Sequence, residues 1–413
     1  MKKLELCMAL LCIFLFSGCT QTVQSQAKVT DLRFYLSSQV LLTENGEVYT
    51  WGENSSFGTL GHDCGQQEII PEPQQVSFPS PIAEIVPCAD NQNLIFVRDV
   101  TGQYYAWGNN RSGIILGAEA TIVTTPVKVD LGIPVKDLDH SARMLTVQTP
   151  DGDFYGCGID PTFAESYFFT DEEERSASSA KLEKIEIPSE SPIIDFQTMY
   201  QYRTFLNESG EVFVQGTING IQGEFPDATH ISYPEKIVQI APMYRGLVTL
   251  GESGSLYFMG YDSFGICTEE RDQVVDYIGL DYPDPVPIAK MKDPVQTVWA
   301  GLDSIIVETR DGEYYTWGYN ISCNNGEKKQ EFVTIPNRLD LPGKAVRFSV
   351  GPFNSAAWME NGDVWIWGSN WGRAFSPDEK EATFTPQLAF SPQTRIADLS
   401  CLNEMLSAVE PLV

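Results

Sequence analysis

Histidine is scarce in this chain, which limits the kinds of catalysis that the chain supports. Only His62, His140 and His230 occur in 413 residues, and none belongs to a nucleophile motif such as GxSxG. Motifs for phosphate loops, dinucleotide binding and zinc proteases are absent as well. We therefore expect a protein that is not an enzyme and that needs no cofactor or metal. Hydrolysis by a pair of carboxylates stays open, because acidic residues are abundant.

Basic residues are also few. The chain has 27 Lys and Arg against 56 Asp and Glu, which gives a net charge of −29. Binding to a nucleic acid backbone requires clustered positive charge, and so does adhesion of a protein face to an anionic bilayer. We therefore expect neither of these partners, and the acidity is typical of a secreted protein that stays in solution.

The nine cysteines form no CxxC motif and no cluster with histidine, so the spacings of zinc and redox sites are missing. Three of them lie in the first 19 residues. The other six are Cys64, Cys88, Cys157, Cys267, Cys323 and Cys401. An even number in an exported chain leaves disulfides open without assigning a pairing. We expect most of these cysteines to be small, buried apolar residues.

The N-terminal apolar segment is short. Lys2 and Lys3 precede an uninterrupted apolar run from Leu6 to Phe16, 11 residues long. Such a run is too short for a membrane-spanning helix, and after two positive charges it is typical of a secretory signal peptide. The sequence therefore predicts export.

Residues 15–19 read LFSGC, which resembles the lipobox of bacterial lipoproteins. The resemblance implies cleavage before Cys19 and acylation of its thiol. Phe16 stands where this family usually has an aliphatic residue, and an ordinary cleaved signal peptide is the alternative. We expect a signal peptide at 1–18, a lipidated tether at 19–27, and attachment to the extracytoplasmic membrane face through the lipid alone.

An internal repeat organises the rest of the chain. Residues 45–52 read NGEVYTWG, and in each of seven copies two glycines stand six positions apart. The first glycines of the copies are Gly46, Gly102, Gly152, Gly210, Gly254, Gly312 and Gly362. Each copy has a tight turn, an alternating strand after it and an apolar strand before it. Units of about 50 residues with several strands and no helix are typical of propeller blades.

Residues 51–62, WGENSSFGTLGH, resemble the signature of the regulator of chromosome condensation repeat, and residues 107–117, 317–320 and 367–372 repeat it. The resemblance implies an all-β, seven-bladed β-propeller over residues 28–413. Residues 31–42 and 396–409 both look like the opening strands of a blade. We therefore expect the two ends to share one blade, and an imperfect eighth blade is the alternative.

The third copy carries an insertion that runs from Asp171 to Ser191 and begins with four consecutive acidic residues. We interpret it as a solvated surface loop. A calcium site is the alternative, but the carboxylates are consecutive rather than spaced as in a calcium loop.

Aromatic residues of the repeat fall into two groups. Trp51, Trp107, Trp317 and Trp367 have a fixed place in the motif, and we expect them to fill the space between blades. Five aromatic residues lie just beyond the motif, where the chain enters loops. We predict that these bind a partner, since rigid aromatic side chains at a rim are common binding hot spots. They are Phe57, Tyr261, Phe264, Tyr319 and Trp371.

Members of the family that this repeat resembles serve as a nucleotide exchange factor on chromatin, as ubiquitin-ligase modules, or as a secreted inhibitor of β-lactamase. Export and acidity disfavour the chromatin role. We expect a monomeric, non-catalytic module that holds a protein partner of the envelope or cell surface on one rim, and so inhibits or scaffolds an extracellular enzyme. The alternative is an extracellular glycan-binding protein or a glycan-active enzyme. A broad rim favours a protein partner, and one deep pocket favours a glycan.

Overall fold

In a computed structural model, the described residues are 27–35, 38–65, 67–88, 93–160, 177–219, 224–267, 279–320, 325, 332–351, 354–369 and 383–391. They form seven antiparallel sheets of four strands each. The predicted all-β, seven-bladed propeller is confirmed. Within these ranges there is no helix of the length and apolarity that crossing a membrane requires. The predicted signal peptide at 1–18 and Cys19 lie outside the described residues.

Each blade is one continuous stretch of chain, and its strands follow one another in space as in sequence. Blades 1 to 3 contain β1 (Val29–Phe34), β2 (Ser38–Thr43), β3 (Val48–Glu53), β4 (Ile69–Val76), β5 (Ile82–Ile85), β6 (Leu94–Asp99), β7 (Tyr104–Asn109), β8 (Ile122–Lys128), β9 (Asp137–His140), β10 (Met144–Gln148), β11 (Phe154–Ile159) and β12 (Ser178–Ile185). Blades 4 and 5 contain β13 (Ile193–Met199), β14 (Tyr202–Asn207), β15 (Val212–Gly216), β16 (Phe225–Ile231), β17 (Ile237–Met243), β18 (Gly246–Gly251), β19 (Leu256–Asp262) and β20 (Leu280–Pro287). Blades 6 and 7 contain β21 (Val295–Ala300), β22 (Ser304–Thr309), β23 (Tyr314–Tyr319), β24 (Phe332–Arg338), β25 (Ala345–Val350), β26 (Asn354–Met359), β27 (Val364–Gly368) and β28 (Thr383–Phe390).

Burial changes from the axis of the ring outward. The second strand of a blade is covered on both faces, and all six residues of β2, β14, β18, β22 and β26 are buried. These strands contain the apolar runs that the sequence placed before each turn. Fourth strands such as β4 and β20 are mostly exposed. First strands surround a central cavity of about 680 Å³, which we call the central channel.

The ring has two faces with different connections. The first face carries the corners between first and second strands and the long loops between third and fourth strands, and we call it the loop rim. The second face carries the glycine turns between second and third strands and the connections to the next blade, and we call it the turn rim. Lys28 lies on the turn rim, because its carbonyl accepts a hydrogen bond from the nitrogen of Glu44 at 2.9 Å.

Glycine turns on the turn rim join neighbouring blades. Gly46 has φ +77°, and its carbonyl accepts a hydrogen bond from the nitrogen of Ile82, in the next blade, at 2.9 Å. A methyl group at Gly46 would lie 2.6 Å from Cβ of Pro81. The turn therefore needs glycine for two reasons, the left-handed backbone and the close approach of the next blade.

The blade tryptophans pack between neighbouring blades, as predicted. Trp107, Trp317 and Trp367 are fully buried, and Trp51 is nearly so. The indole nitrogen of Trp107 donates a hydrogen bond to the carbonyl of Thr59 in blade 1 at 2.8 Å. These tryptophans are buried and therefore serve packing. The hydrogen bond of Trp107 satisfies the indole N–H, which needs a partner when it is buried.

Trp317 makes the same contact in blade 6, four blades further along the chain. Its indole nitrogen donates to the carbonyl of Ile266 in the blade 5 loop at 3.1 Å. The repeat thus uses the tryptophan of one blade to fix the loop of the preceding blade on the loop rim.

The described ends of the ring meet through side chains. Blade 1 takes its four strands from residues 29–76 and blade 7 from residues 345–390. The shared blade stays a prediction, because one of its two segments is not described. Asp31 and Arg347 form an ion pair at 2.6 Å. Trp51 and Trp358 belong to one apolar cluster across this junction. Residues 396–409, the predicted second pair of opening strands, lie outside the described residues.

The insertion of blade 3 is only partly the loop that the sequence predicted. Residues Ser178–Ile185 form β12, the outer strand of the blade, so the loop prediction was wrong there. The reason is that an outer strand exposes one face and one edge, so its sequence can be polar and still pair. Residues 171–176 lie outside the described residues.

Four of the predicted buried cysteines can be located. Cys88 and Cys157 are buried, whereas Cys64 and Cys267 are partly exposed. Among these four residues there is no disulfide. Burial raises the pKa of the Cys157 thiol to about 12, so this group stays a neutral thiol in the core. Cys323 and Cys401 lie outside the described residues.

Candidate functional site

Arginine and aromatic side chains follow the loop rim from blade 3 to blade 6. We call this surface the arginine–aromatic arc. It consists of Arg143, Tyr200, Tyr244, Arg245, Tyr261, Phe264, Tyr319 and Phe332. All of them except Phe264 are partly exposed. The arc therefore offers several polarisable groups side by side on one face.

Corners between first and second strands place the first half of the arc. The guanidinium carbon of Arg143 lies 4.2 Å from the ring centre of Tyr200, and the rings of Tyr200 and Tyr244 meet edge to face at 4.8 Å. The hydroxyl of Ser141 donates to the carbonyl of Tyr200 at 3.0 Å. Side chains of three successive blades are thus linked through short contacts.

Tyr200 has an unusual backbone conformation. It is the one non-glycine residue with positive φ in the described chain, at +45°. Tyr200 and Gln201 form the two-residue link between β13 and β14, and such links commonly require positive φ. A tyrosine there costs about 1 kcal/mol or more compared with glycine. The ring of Tyr200 is held in the arc in spite of this cost.

Arg245 is the centre of the second half. Its guanidinium carbon lies 5.9 Å from the ring centres of both Tyr244 and Tyr261, and 5.1 Å from that of Phe264. Its Nη1 donates to the hydroxyl of Ser263 at 2.8 Å. The guanidinium is therefore surrounded by rings and fixed by a hydrogen bond, which reduces the entropy that it loses when a partner binds.

Two further rings, Tyr319 and Phe332, extend the arc into blade 6. Phe264 lies 4.9 Å from Tyr319 and 6.0 Å from Phe332, with the latter pair stacked. Phe264 is only 8% exposed, so it supports the rings above it. The hydroxyl of Tyr261 accepts a hydrogen bond from the nitrogen of Gly279 at 2.8 Å.

A carboxyl group lies beneath Arg245. The Oδ1 atom of Asp303 is buried and has no hydrogen-bond partner among the described residues. Burial raises the pKa of Asp303 to about 7, and the positive charge of Arg245 opposes this rise. The void between Asp303, Arg245 and Phe264 measures about 10 Å³, which is room for one water molecule at most. As far as the described residues show, the void beneath Arg245 is too small for a ligand, and the arc is a surface.

The predicted partner-binding residues lie in different places. Tyr261, Phe264 and Tyr319 come together in the arc. Phe57 lies on the same rim in blade 1, half-buried, with the guanidinium carbon of Arg111 5.3 Å from its ring centre. Phe57 forms a separate arginine–aromatic pair. Trp371 lies outside the described residues.

Sequence reasoning missed the corner residues Arg143, Tyr200, Tyr244 and Arg245. They precede the buried second strands, whereas the predicted rim residues follow the motif after the third strands. A usable signal was the YQ and YR pairs immediately before β14 and β18, since two polar or aromatic residues between buried strands mark an exposed hairpin link.

A cavity in the blade 1 loop of the loop rim is bordered by one histidine and one cysteine. The thiol of Cys64 lies 3.5 Å from Nδ1 of His62, beside this cavity of about 350 Å³. Burial raises the pKa of Cys64 and lowers the pKa of His62. Both groups are therefore held neutral, whereas a nucleophilic pair requires a thiolate.

The other two histidines lie elsewhere. His140 is fully buried, its ring is 4.6 Å from that of Phe96, and burial lowers its pKa to about 4. His230 lies 5.5 Å from the ring of Phe213. Within the described ranges, no three His, Cys, Asp or Glu side chains come together in a way that could hold a metal ion.

Comparison with known proteins agrees with the fold. The family described as "Regulator of chromosome condensation (RCC1) repeat" matches residues 45–95. The ultraviolet-B receptor UVR8 of Arabidopsis thaliana is 25% identical over 78% of this chain and 60% of its own length. The regulator of chromosome condensation of Homo sapiens is 22% identical over 74% of this chain and 75% of its own length.

A solved structure shows the same architecture. Prp20p from Saccharomyces cerevisiae aligns with a TM-score of 0.66 and 17% identity, over 88% of this chain and 87% of that one. At this identity the likeness concerns the fold. Residues 45–95 thus match the regulator of chromosome condensation repeat, and the seven-bladed propeller of this chain is similar in fold to Prp20p.

Proposed function

We propose that this protein is an exported, lipid-anchored and non-catalytic binding module that holds a protein partner on its loop rim. The observation that carries the proposal is the arginine–aromatic arc. Arginine, tyrosine and tryptophan dominate binding hot spots, and fixed side chains lose little entropy on binding. The arc spans four blades, so it suits the extended surface of a protein.

The position of the N-terminus supports this orientation. Residues 19–27, the predicted tether, lead into Lys28, and Lys28 lies beside Glu44 on the turn rim. A lipid on Cys19 would hold the turn rim toward the membrane. The loop rim would then face away from the membrane, where a partner can reach it.

Relatives with this fold give further support. Prp20p is a protein for which binding to Gsp1p and histones is described, and the same yeast protein is seen bound to Kap60. Propellers with this repeat thus hold protein partners. The partner of this chain is a different one under our proposal, because the predicted export places it in the envelope or outside the cell.

The test is affinity capture from envelope and culture-supernatant proteins of the source organism, with the whole chain immobilised and the bound proteins identified by mass spectrometry. We compare the wild type with Arg245→Ala, which removes the centre of the arc. The matched control is Arg310→Ala, an exposed arginine of the turn rim. We expect one stoichiometric protein that binds the wild type and the control, and whose affinity for Arg245→Ala falls at least tenfold, about 1.4 kcal/mol.

Two outcomes would count against the proposal. Capture that survives Arg245→Ala would show that the arc does not bind the partner. Absence of any saturable protein would favour the alternative of a glycan ligand, which binding and hydrolysis assays with cell-wall and extracellular glycans would then examine.

A further inference from the structure

The central channel has two sides of different charge. On the side of blades 1 and 7, Arg33 and Arg347 share one carboxylate, that of Asp31, at 3.0 and 2.6 Å. The guanidinium carbon of Arg347 also lies 3.9 Å from the ring centre of Trp358. Both guanidinium groups are therefore already paired with the carboxylate of Asp31.

Carboxylates line the side of blades 3 and 4. Asp137, Asp139 and Asp195 all border the channel, and among the described residues none of them has a Lys or Arg within ion-pair distance. The Oδ2 atom of Asp139 accepts a hydrogen bond from the nitrogen of Thr198 at 2.5 Å. Lys136 borders the channel on the same side, but within the described residues it forms no ion pair with any of these three carboxylates.

Two of these carboxyl groups have a raised pKa. Burial raises the pKa of Asp139 well above its ordinary value, and the nearby charge of Asp195 raises it further. Burial also raises the pKa of Asp195, and Asp137 adds to this effect. A positive group in the channel would relieve both effects, since it favours the ionised carboxylates.

A buried amide points to the same space. Gln148 is only 7% exposed, borders the channel and stands opposite Asp137 in the register of β9 and β10. Its side-chain amide has no hydrogen bond to any described residue. The amide atoms of Gln148 remain accessible from the channel, where water or a ligand can form hydrogen bonds with them.

The chemistry of the ligand follows from these groups. The carboxylates do not form a cluster that could hold a metal ion, as far as the described residues show. An ammonium or guanidinium group on a carbon chain offers several N–H donors spread over a larger volume. The channel volume of about 680 Å³ is within the range for sites that bind small molecules.

We propose that the central channel binds an organic ammonium or guanidinium group between Asp137, Asp139 and Asp195, with the amide of Gln148 as a further acceptor. The group has two sources with the same chemistry, a free small amine or the Lys or Arg side chain of a protein. The site is separate from the arc on the loop rim and does not depend on it.

The test is isothermal titration calorimetry on the whole chain in non-ionic detergent. The probes are 1,5-diaminopentane, its neutral analogue 1,5-pentanediol, and the peptide acetyl-Gly-Lys-Gly-amide. We expect saturable binding of the diamine and none of the diol. Asp139→Asn, whose amide oxygen can still accept from Thr198, and Asp195→Asn should each weaken diamine binding roughly tenfold, because each removes one charge-assisted contact.

Two more variants distinguish loss of the site from a change in net charge elsewhere on the protein. Asp227→Asn removes a carboxylate from the exposed outer strand of blade 4 and should leave diamine affinity unchanged. Gln148→Leu keeps the net charge and should weaken binding about threefold, as expected for loss of a neutral acceptor. Circular dichroism and thermal unfolding confirm that each variant folds.

The probes also distinguish the source. Diamine binding without peptide binding supports a free small amine, and peptide binding that the same aspartate substitutions weaken supports a protein side chain. The proposal is overturned if neither cation binds up to 10 mM or if the diol binds equally well. It is also overturned if Asp227→Asn weakens binding as much as Asp195→Asn.

Discussion

The loop rim and the turn rim are built from the same repeat, yet their side chains differ in kind. The turn rim carries exposed carboxylates at Glu44, Asp151, Asp153, Glu208, Glu211, Glu252, Asp311 and Glu360. The corners of blades 3, 4 and 5 on the loop rim carry Arg143, Tyr200, Tyr244 and Arg245, with rings and guanidinium groups in contact.

The reason for the difference is the backbone. On the turn rim the next blade approaches the turn closely, and a glycine carbonyl accepts a hydrogen bond from it in three described pairs, at Gly46, Gly210 and Gly254. This leaves little freedom for anything but short polar turns. Loops and corners of the other rim project away from the sheets, so their side chains are free to serve binding.

The largest effect should come from breaking the turn rim. We expect Gly46→Ala to lower the free energy of unfolding by about 3 kcal/mol, since it combines a left-handed backbone with loss of close contact to the next blade. The methyl group would meet Pro81 at 2.6 Å and the nitrogen of Ile82 at 2.8 Å. Urea denaturation followed by tryptophan fluorescence measures the change.

Gly102 provides the matched control for that substitution. It has φ +88°, but a methyl group there meets nothing within 4 Å. Gly102→Ala should therefore cost only the backbone strain, about 1 kcal/mol. Equal losses at the two positions would show that the approach of the next blade is unimportant.

An intermediate effect should appear in the pH dependence of the loop rim. The pKa of Asp303 is raised to about 7, above its value in the unfolded chain. The folded protein then holds more protons than the unfolded chain between about pH 4 and 7. The contribution of Asp303 to stability is therefore greatest at low pH and is lost as the pH rises through this window.

Asp303→Asn tests this directly. The neutral amide should remove the pH-dependent loss and make the variant about 2 kcal/mol more stable than the wild type at pH 8. Thermal unfolding at pH 5 and pH 8 gives the comparison, and Asp311→Asn on the turn rim, an exposed carboxylate, is the control. Parallel behaviour of the two variants would contradict the role of burial.

The smallest effect on stability should come from Tyr200→Gly. This variant tests whether the loop rim binds a partner separately from its role in stability. Glycine relieves the strain of φ +45° but loses the ring contacts to Arg143 and Tyr244, so the free energy of unfolding should change by less than about 1 kcal/mol. Partner affinity should still fall at least fivefold. A variant that gains stability and keeps full affinity would show that the ring has no part in binding.

Much of the fold could be predicted from the repeat. The paired glycines fixed the number of blades, because each copy encodes its own turn and the strands on either side of it. Tryptophans such as Trp107 and Trp317 could be assigned to the core from their place in the motif alone. The outer strand β12 was missed, since an exposed edge strand has no apolar pattern to reveal it.

The candidate site was only half predictable. Tyr261, Phe264 and Tyr319 follow the motif, so their rim position could be inferred from spacing. Arg143 and Tyr200 lie far apart in the chain, and no local pattern connects them. Their contact depends on how the corners of successive blades meet around the ring.

The sequence by itself determined the seven repeats, the glycine turns, the buried second strands and the resemblance to a known propeller family, because each of these is a local pattern of spacing and side-chain type. The tertiary structure alone decided the arc and the division of the central channel into two sides, each of which places side chains from different blades together. Contacts between blades depend on the closure of the ring, and that closure depends on packing over the whole chain, such as the meeting of Asp31 with Arg347.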